Sequence, residues 1–384
     1  MERRSFIKSS AIVAGLGFIK PDILSNSFSE KPELLCGDDK KAFINEPRLE
    51  LVFNSGLPVV TTRHPDAIGI KFGFEGGKVV KLGSTYHLFT SEMVADPIWV
   101  KMKLGYWRSE DGLNWKRIST LYESSGEFEG KDPRAALWSP LPVYDEEQQF
   151  WNLFYVAYHS APGTLEDTKL NHNGRIWQAV SLTPGKEGIG GPYRDHKIVL
   201  SPGADSDPWE GTHGVHSFYP YRVGDIWYAF YGSCGVPPSE RNIRPKFWWV
   251  GLATAPHIGG PWTRLSAMNP VRIEKTFIEN PIVIPLPSGG YLCVYESTGP
   301  DVIGYAYSAD GIHWNAGHNL GIQPNPGVWA KSVRTPLGMV SESNDEYLIY
   351  YTGFETEPDW NKLLIGNGEG VTCAIGLARV RLII

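Results

Sequence analysis

Short apolar runs separated by turn-forming residues recur along most of the chain. The stretch Thr276–Trp314 contains four of them. The β-branched run Ile282–Ile284 ends at a Pro-Ser-Gly-Gly turn, and the aromatic-rich runs Tyr291–Glu296 and Ile303–Ser308 follow. An Asp-Gly turn then leads into the run that carries the tryptophan. Each run has the composition and flanking turns of a β-strand, and four strands in about 40 residues is the size of one propeller blade.

The same arrangement recurs, and this recurrence predicts the architecture. Further copies of the second run are Thr85–Phe89, Phe150–Tyr155, Ile226–Tyr231 and Tyr347–Tyr351. Five copies at a spacing of roughly 60 to 70 residues suit blades better than most solenoids. We therefore predict an all-β fold, a five-bladed β-propeller of four-stranded antiparallel blades. An early strand at Leu49–Phe53 is expected to join the sheet of the last blade, which ends with Ala374–Ile384, and so to close the ring.

The N-terminal segment has the pattern of an export signal. Arg3-Arg-Ser-Phe-Ile-Lys8 precedes a moderately apolar stretch, Ala11–Ile19, as in twin-arginine signals. We assign residues 1–30 to this signal, 31–47 to a polar tether and 48–384 to the propeller. The chain is accordingly expected to be exported, to the periplasm, the cell exterior or the cell surface. No stable membrane span is expected because the apolar stretch is too short.

Composition narrows the classes of partner. The net charge of −6 provides no basic surface for nucleic acid. The four cysteines include no Cys-x-x-Cys pair, which argues against a zinc site. Among the 14 tryptophans, Trp107, Trp115, Trp262 and Trp314 recur at equivalent blade positions. We expect these four to pack between blades.

The chemistry is expected where the inner strands converge on the propeller axis. The openings of these strands read His64-Pro-Asp66, Leu137-Trp-Ser-Pro140, His216-Ser-Phe-Tyr-Pro220, Glu279-Asn-Pro281 and Arg334-Thr-Pro336. The recurring proline serves as the register mark. It places around one site the side chains of Asp66, Trp138, His216, Glu279 and Arg334. Charged groups are rarely buried without a partner or a function, so this set predicts a functional pocket.

A second cluster lies just before the third of these openings, in Asp205–His216. Glu210 and His213 are candidates to supply a proton in place of Glu279, and His216 is a candidate to hold a structural Ca²⁺ through water. No cofactor is required by the pattern. Zinc is disfavoured because the cluster is rich in carboxylates. A purely structural loop held by Asx turns explains the same residues.

Several side chains suit carbohydrate binding. Aromatic rings stack on the flat apolar face of a sugar, and the candidates for this role are Trp138, Tyr219, Trp209 and Trp99. Arg334 and His216 could pair with the carboxylate of an acidic sugar, since guanidinium binds carboxylates in a bidentate manner. The pattern does not separate acidic from neutral sugars, and it leaves the oligomeric state open.

These motifs resemble those of the five-bladed β-propeller glycoside hydrolases, the broad group that contains families 43, 32, 62, 117 and 130. In family 43 a base Asp opens blade one, an Asp follows Trp-Ala-Pro on blade two, and an acid Glu lies in a Glu-Gly-Pro motif on blade three. Asp66 matches the first position and Glu279-Asn-Pro281 resembles the third, although it lies on blade four. Trp138-Ser-Pro140 resembles the second, but Leu141 stands where the Asp is expected. The chain is therefore similar to the group without a clean match to one family.

The resemblance implies a glycosidase. Such enzymes use one protonated carboxyl group as acid and one ionised carboxylate as base or nucleophile. Asp66 would be the base or nucleophile and Glu279 the acid, with Glu210 as the alternative acid. Two other functions stay open: a carbohydrate-binding propeller without turnover, suggested by Leu141, and a polysaccharide lyase with a Tyr or His base near Arg334.

Overall fold

A computed structural model describes residues 46–162, 170–234, 248–297, 302–324, 327–363 and 365–384. The predicted export signal and all but the last two residues of the predicted tether lie outside these residues. The chain first forms β1 (Arg48–Asn54) and then five groups of strands. We call these groups blades 1 to 5.

The strands of each blade follow one another in sequence. Blade 1 comprises β2 (Gly73–Leu82), β3 (Thr85–Ala95), β4 (Lys101–Ser109) and β5 (Lys116–Glu123). Blade 2 comprises β6 (Ala136–Asp145), β7 (Phe150–Ser160), β8 (Asn171–Ser181) and β9 (Tyr193–Leu200). Blade 3 comprises β10 (His216–Val223), β11 (Ile226–Cys234), β12 (Trp248–Ala255) and β13 (Thr263–Arg264). Blade 4 comprises β14 (Ile278–Pro285), β15 (Tyr291–Ser297), β16 (Val302–Ser308) and β17 (His318–Asn319). Blade 5 comprises β18 (Ser332–Ser341), β19 (Glu346–Phe354) and β20 (Cys373–Ile383). A 3-10 helix (Lys186–Gly190) and a one-turn helix α1 (Trp360–Leu363) are the helical elements of the described residues.

Strand pairing confirms the predicted architecture. Within each blade every strand pairs antiparallel with the next, and β1 adds to β20 as the fourth strand of blade 5. Blades 5 and 1 are joined by a single parallel bridge between Gly73 and Cys373. The inner strands β2, β6, β10, β14 and β18 contact one another in this order, and β18 contacts β2 again. The fold is thus an all-β propeller of four-stranded antiparallel units whose ring is closed by the N-terminal strand.

The hydrophobic core lies between the blades. Trp107, Trp115 and Trp262 are buried, as predicted for residues that recur at equivalent positions. The Trp115 ring meets Tyr350 of blade 5 edge-on, which joins the first and last blades. Each such contact buries a large aromatic surface, so the ring is stabilised mainly by packing between sheets.

The two ends of the propeller differ in their loops. One end carries tight connections such as Gly83–Ser84 and the Ser-x-Asp-Gly turns at Ser109–Gly112 and Ser308–Gly311. The other end carries the starts of the inner strands and the longer connections, such as residues 201–215 before blade 3, together with the segment 96–100, which we call the insertion of blade 1. No helix in the described part of the chain has the length and apolar character needed to cross a bilayer.

Candidate active site

Each inner strand has a β-bulge near its start, at the same place in every blade. The register shifts follow Phe74, Trp138, His216, Glu279 and Val333. In four blades the bulge contains a residue with a left-handed backbone, namely Gly76 (φ 72°), Ser139 (φ 54°), Ser217 (φ 50°) and Asn280 (φ 53°). A bulge re-aims neighbouring side chains, which is why bulges are common beside active sites.

The residue before each left-handed position, with the corresponding residue of blade 5, defines a set that we call the mouth ring. Its members are Glu75, Trp138, His216, Glu279 and Arg334. The residues one step deeper hold neighbouring blades together, because Ser217 contacts Asn280 at 3.2 Å and Asn280 donates to Thr335 at 3.2 Å. The bulges therefore bring residues that are far apart in sequence to one end of the axis.

On one side of the mouth ring, a guanidinium lies between two buried carboxylates. Arg334 Nε and Nη2 lie 3.2 and 2.7 Å from Glu75 Oε1. Its Nη1 lies 3.1 Å from Glu296 Oε1 on β15. The side chains of all three residues are buried. Arg334 is thus engaged by carboxylates of the protein itself, which does not favour its predicted role in reading an acidic sugar.

The second oxygen of Glu75 is held by the insertion of blade 1. Trp99 Nε1 donates to Glu75 Oε2 at 3.0 Å. Indole and guanidinium groups only donate hydrogen bonds, so both oxygens of Glu75 act as acceptors here. This arrangement is that of an ionised carboxylate.

On the other side of the mouth ring, Glu279 lies beside imidazole and aromatic rings. Glu279 Oε1 is 3.9 Å from His216 Nδ1. The His216 ring meets His213 and Trp248 edge-on, at 5.0 and 5.4 Å between centroids. Burial raises the pKa of the Tyr158 phenol well above its usual value. Tyr158 therefore stays protonated beside Glu279.

Glu279 also faces a second glutamate within its own blade. It is the direct cross-strand partner of Glu296 in the β14–β15 ladder. Side chains of directly opposite residues lie on the same face, about 5 Å apart at Cβ, and two anions placed so destabilise one another. Glu296 thus links the two sides of the mouth ring, because its side chain pairs with Arg334 and its backbone lies opposite Glu279.

A lysine and a tyrosine span the axis one layer below the mouth ring. Lys78 Nζ on β2 donates to Tyr219 Oη on β10 at 2.5 Å and lies 4.5 Å from the centre of its ring. Blades 1 and 3 are not neighbours, so this contact crosses the channel. Burial lowers the pKa of Lys78 to about 7. Tyr219 is therefore a floor residue and not a member of the mouth ring.

Asp66 is not brought together with the other predicted residues. The inner strand of blade 1 begins at Gly73, beyond Asp66, so the predicted opening of that strand was wrong in position. Asp66 Oδ2 instead accepts a hydrogen bond from the backbone N–H of Arg117, on the outermost strand of the blade, at 3.3 Å. The proline of His64-Pro-Asp66 suggested the wrong register. The true opening, Glu75-Gly76-Gly77, has Gly77 where blades 2, 4 and 5 have proline, and Glu75 was missed for that reason.

Glu210 lies in blade 3 away from the mouth ring. Its two oxygens accept hydrogen bonds from Arg264 Nε at 2.6 Å and Nη2 at 2.9 Å. Tyr231 also donates to it, at 3.0 Å. The bidentate pair with the outermost strand gives Glu210 a structural role. His213, from the same loop, does reach the mouth ring through its contact with His216.

Leu141 lies in the core. It is buried and packs in the apolar cluster between blades 2 and 3. The carboxylates of this site come from other strands, and Glu296 was missed because it lies on a second strand, where the sequence shows only an ordinary alternating run.

A metal site would need several ligand side chains close together. Within the described ranges, no three His, Cys, Asp or Glu side chains group closely enough to hold a metal ion. A structural Ca²⁺ beside His216 stays a prediction.

Comparison with known proteins identifies relatives by fold. No protein-family model and no curated protein sequence matches the chain. Zg3597, a family 117 glycoside hydrolase of the marine bacterium Zobellia galactanivorans, is similar with a TM-score of 0.58 and 14% identity over 88% of this chain and 90% of that one. BT0996, solved as an RGII complex, is similar with a TM-score of 0.62 and 14% identity over 86% and 92%. An α-L-arabinofuranosidase from Lactobacillus brevis is similar with a TM-score of 0.55 and 13% identity over 83% and 91%. The predicted resemblance to propeller glycoside hydrolases is confirmed at the level of fold.

Proposed function

We propose that this chain is a glycoside hydrolase that cleaves a glycosidic bond of an oligo- or polysaccharide at the mouth ring. The observation that carries the proposal is the convergence of Glu75 and Glu279 on one end of the axis, with Arg334 and His216 beside them. Glycoside hydrolysis needs two carboxyl groups in different protonation states on either side of the scissile bond. The surroundings of these two glutamates differ in the required sense.

Glu75 is the ionised partner in this mechanism. It accepts hydrogen bonds from Arg334 and Trp99, neither of which can accept a proton from it. A carboxylate held in this way can activate a water molecule or stabilise positive charge on the sugar ring as the bond breaks. Glu75 thus takes the role that the sequence assigned to Asp66.

Glu279 is the proton donor. Its cross-strand neighbour Glu296 is ion-paired with Arg334, so an additional negative charge on Glu279 is disfavoured. In the proposed mechanism Glu279 donates its proton to the leaving oxygen, and the nearby His216, 3.9 Å away, is placed to orient the carboxyl group.

The proposed enzyme acts outside the cytoplasm on a carbohydrate substrate. This part of the proposal is supported by Arg3-Arg4 and the apolar stretch that follows. Mass spectrometry of the periplasmic fraction should detect the chain without its first residues, and replacement of both arginines by lysine should leave the uncleaved form in the cytoplasm.

The test is a comparison of purified variants on a panel of glycans, with chromatography of the released sugars. The parent should release free sugar. Glu279→Gln should lower kcat/KM by about 10²–10⁴-fold, the usual contribution of general acid catalysis. Glu342→Gln is the control, because Glu342 lies just after β18 and pairs with Lys81 near the end of β2, at the opposite end of the propeller from the mouth ring, and should leave the rate unchanged.

Three outcomes would overturn the proposal. Binding of a glycan without any product identifies a carbohydrate-binding propeller, and a product that absorbs ultraviolet light identifies a lyase. Parent-like turnover by Glu279→Gln, together with loss of turnover in a Glu210→Gln variant that keeps the parent melting temperature, would remove Glu279 from the mechanism and move the acid to blade 3.

A further inference from the structure

Trp99 has an unusual backbone conformation. Its φ is 69°, in the left-handed region that bulky side chains rarely adopt. Such a conformation costs free energy and persists only where the surroundings impose it, most often at functional sites. The segment 96–100 that carries it is anchored at both sides, since Ile98 and Val100 are fully buried.

Two side chains of blade 2 hold the Trp99 peptide in place. Trp138 Nε1 and Asn171 Nδ2 both donate to the Trp99 carbonyl oxygen, each at 3.1 Å. Asn171 is itself fixed by Ser160, whose hydroxyl lies 2.7 Å from Asn171 Oδ1. The insertion of blade 1 is therefore hydrogen-bonded to blade 2 at Trp99, the residue of this segment that has the left-handed backbone.

This arrangement places the Trp99 indole against the Glu75 carboxylate. The Trp99 indole N–H lies 3.0 Å from Glu75 Oε2, while Arg334 of blade 5 holds Oε1. We infer that Trp99 is a positioning residue, which fixes the orientation and charge of the Glu75 carboxylate through its indole N–H. The inference rests on the proposed function only for its kinetic consequence. It reassigns Trp99 from the sugar-stacking role suggested by sequence to a role that acts through Glu75.

The test replaces the donor and keeps the ring. Trp99→Phe removes the N–H but preserves an aromatic face. It should lower kcat by about 10–100-fold because small displacements of a reacting group have effects of this size. The acidic limb of the kcat/KM profile should move to higher pH, because the Glu75 anion loses a donor. KM should change little, whereas loss of a stacking surface would raise KM. Asn171→Ala, which loosens the Trp99 carbonyl, should produce a smaller shift in the same direction.

The chain supplies a matched control. Trp107 Nε1 donates at 2.9 Å to the buried Glu92, whose other partner, Arg117, also belongs to blade 1. Trp107→Phe should lower the melting temperature and leave the pH profile unmoved. Unchanged kcat and an unchanged acidic limb in Trp99→Phe, with the parent active, would overturn the inference.

A structural readout separates this inference from the proposed function. Crystal structures of the parent and of Trp99→Phe should show the Glu75 carboxylate in two different orientations, whether or not any glycan is cleaved. An inactive parent with a displaced Glu75 in the variant would refute only the glycosidase. A Glu75 carboxylate that does not move would refute the positioning role.

Discussion

Two buried glutamates of blade 1, Glu92 and Glu75, each accept hydrogen bonds from one tryptophan and one arginine. The two sets of partners come from different parts of the propeller. Glu92 accepts from Trp107 at 2.9 Å and from Arg117 Nε and Nη2 at 3.0 and 2.7 Å. All of these partners belong to blade 1, on consecutive strands. The charge of Glu92 is thus satisfied locally, within one sheet, by a guanidinium that serves no other carboxylate among the described residues.

Glu75 has the same kinds of partner, but they come from elsewhere. Its guanidinium, Arg334, belongs to blade 5 and is shared with Glu296 of blade 4, and its indole, Trp99, belongs to an insertion fastened to blade 2. Glu75 therefore depends on four blades holding their positions. An ion pair within one blade stabilises its own sheet, whereas the pair at the axis is assembled by the closed ring.

The largest expected effect separates the two glutamates directly. Glu75→Gln should lower kcat/KM by about 10²–10⁴-fold through loss of the anionic base. Its effect on the melting temperature should be modest, because Arg334 keeps Glu296 as a partner. Glycan turnover and thermal unfolding on the same preparations provide the measurement. Parent-like turnover would remove Glu75 from the mechanism.

The complementary substitution tests stability. Glu92→Gln leaves Arg117 without its buried counter-charge, and breaking such a pair costs about 3–5 kcal/mol. The free energy of unfolding in denaturant should fall by that order, while folded protein keeps parent-like kcat. If Glu92→Gln lowers kcat as strongly as Glu75→Gln, the two glutamates are not functionally distinct.

Lys78 is a different kind of titratable group at the axis, because its hydrogen bond goes to the Tyr219 hydroxyl and not to a carboxylate. Burial lowers its pKa to about 7, so between about pH 7 and pH 10 the unfolded chain holds a proton that the folded chain does not. Stability should consequently rise with pH over this window, by at most about 1.4 kcal/mol per pH unit. Lys78→Met should lack this rise. Denaturant unfolding at several pH values measures both slopes, and equal slopes would contradict the assigned burial effect.

Most of the fold follows from local pattern. Runs such as Tyr291–Glu296 alternate, end at glycine turns and recur, so the blades could be recognised one by one. The pairing of β1 with β20 was also predictable, because a closed ring leaves no exposed edge. The pattern could not provide the start of the inner strand of blade 1, where Gly77 stands at the position that proline occupies in blades 2, 4 and 5.

The site was less predictable for a related reason. Four members of the mouth ring begin strand openings with a recognisable proline motif, and the structure brings them together. They are Trp138, His216, Glu279 and Arg334. Glu296 lies opposite Glu279 only through strand register, and Trp99 reaches Glu75 only through loop placement. Neither relation can be predicted from residue spacing, because both depend on contacts between segments that are distant in sequence.

Close packing around two glycines provides a finer comparison. A Cβ on Gly232 would lie 2.6 Å from His216 Cε1, and a Cβ on Gly105 would lie 1.9 Å from Glu92 Oε1. Gly232→Ala should displace His216 and lower kcat about 10-fold. Gly105→Ala should destabilise the fold by about 1–3 kcal/mol, as overpacking does, without a specific effect on turnover. Glycan turnover and thermal unfolding measure the two effects. If Gly105→Ala lowered turnover and Gly232→Ala lowered only stability, the functional role of His216 and the structural role of Glu92 would be contradicted.

The smallest expected effect concerns the far end of blade 1, where Asp111 is held by hydrogen bonds alone. The backbone N–H of Asn114, its side-chain amide and the N–H of Leu113 lower the pKa of Asp111. A carboxylate with a lowered pKa stabilises the fold above the ordinary value of about 4, and this contribution disappears as the pH falls through the folded-state pKa. Asp111→Asn should therefore lower the melting temperature at pH 7 by about 1–2 °C, with no change in turnover. The difference between parent and variant should shrink below about pH 4, because the carboxylate of the unfolded parent then begins to take up a proton that the folded parent takes up only at lower pH. A difference that stays constant down to about pH 2 would mean that the turn depends on the shape of the side chain and not on its charge.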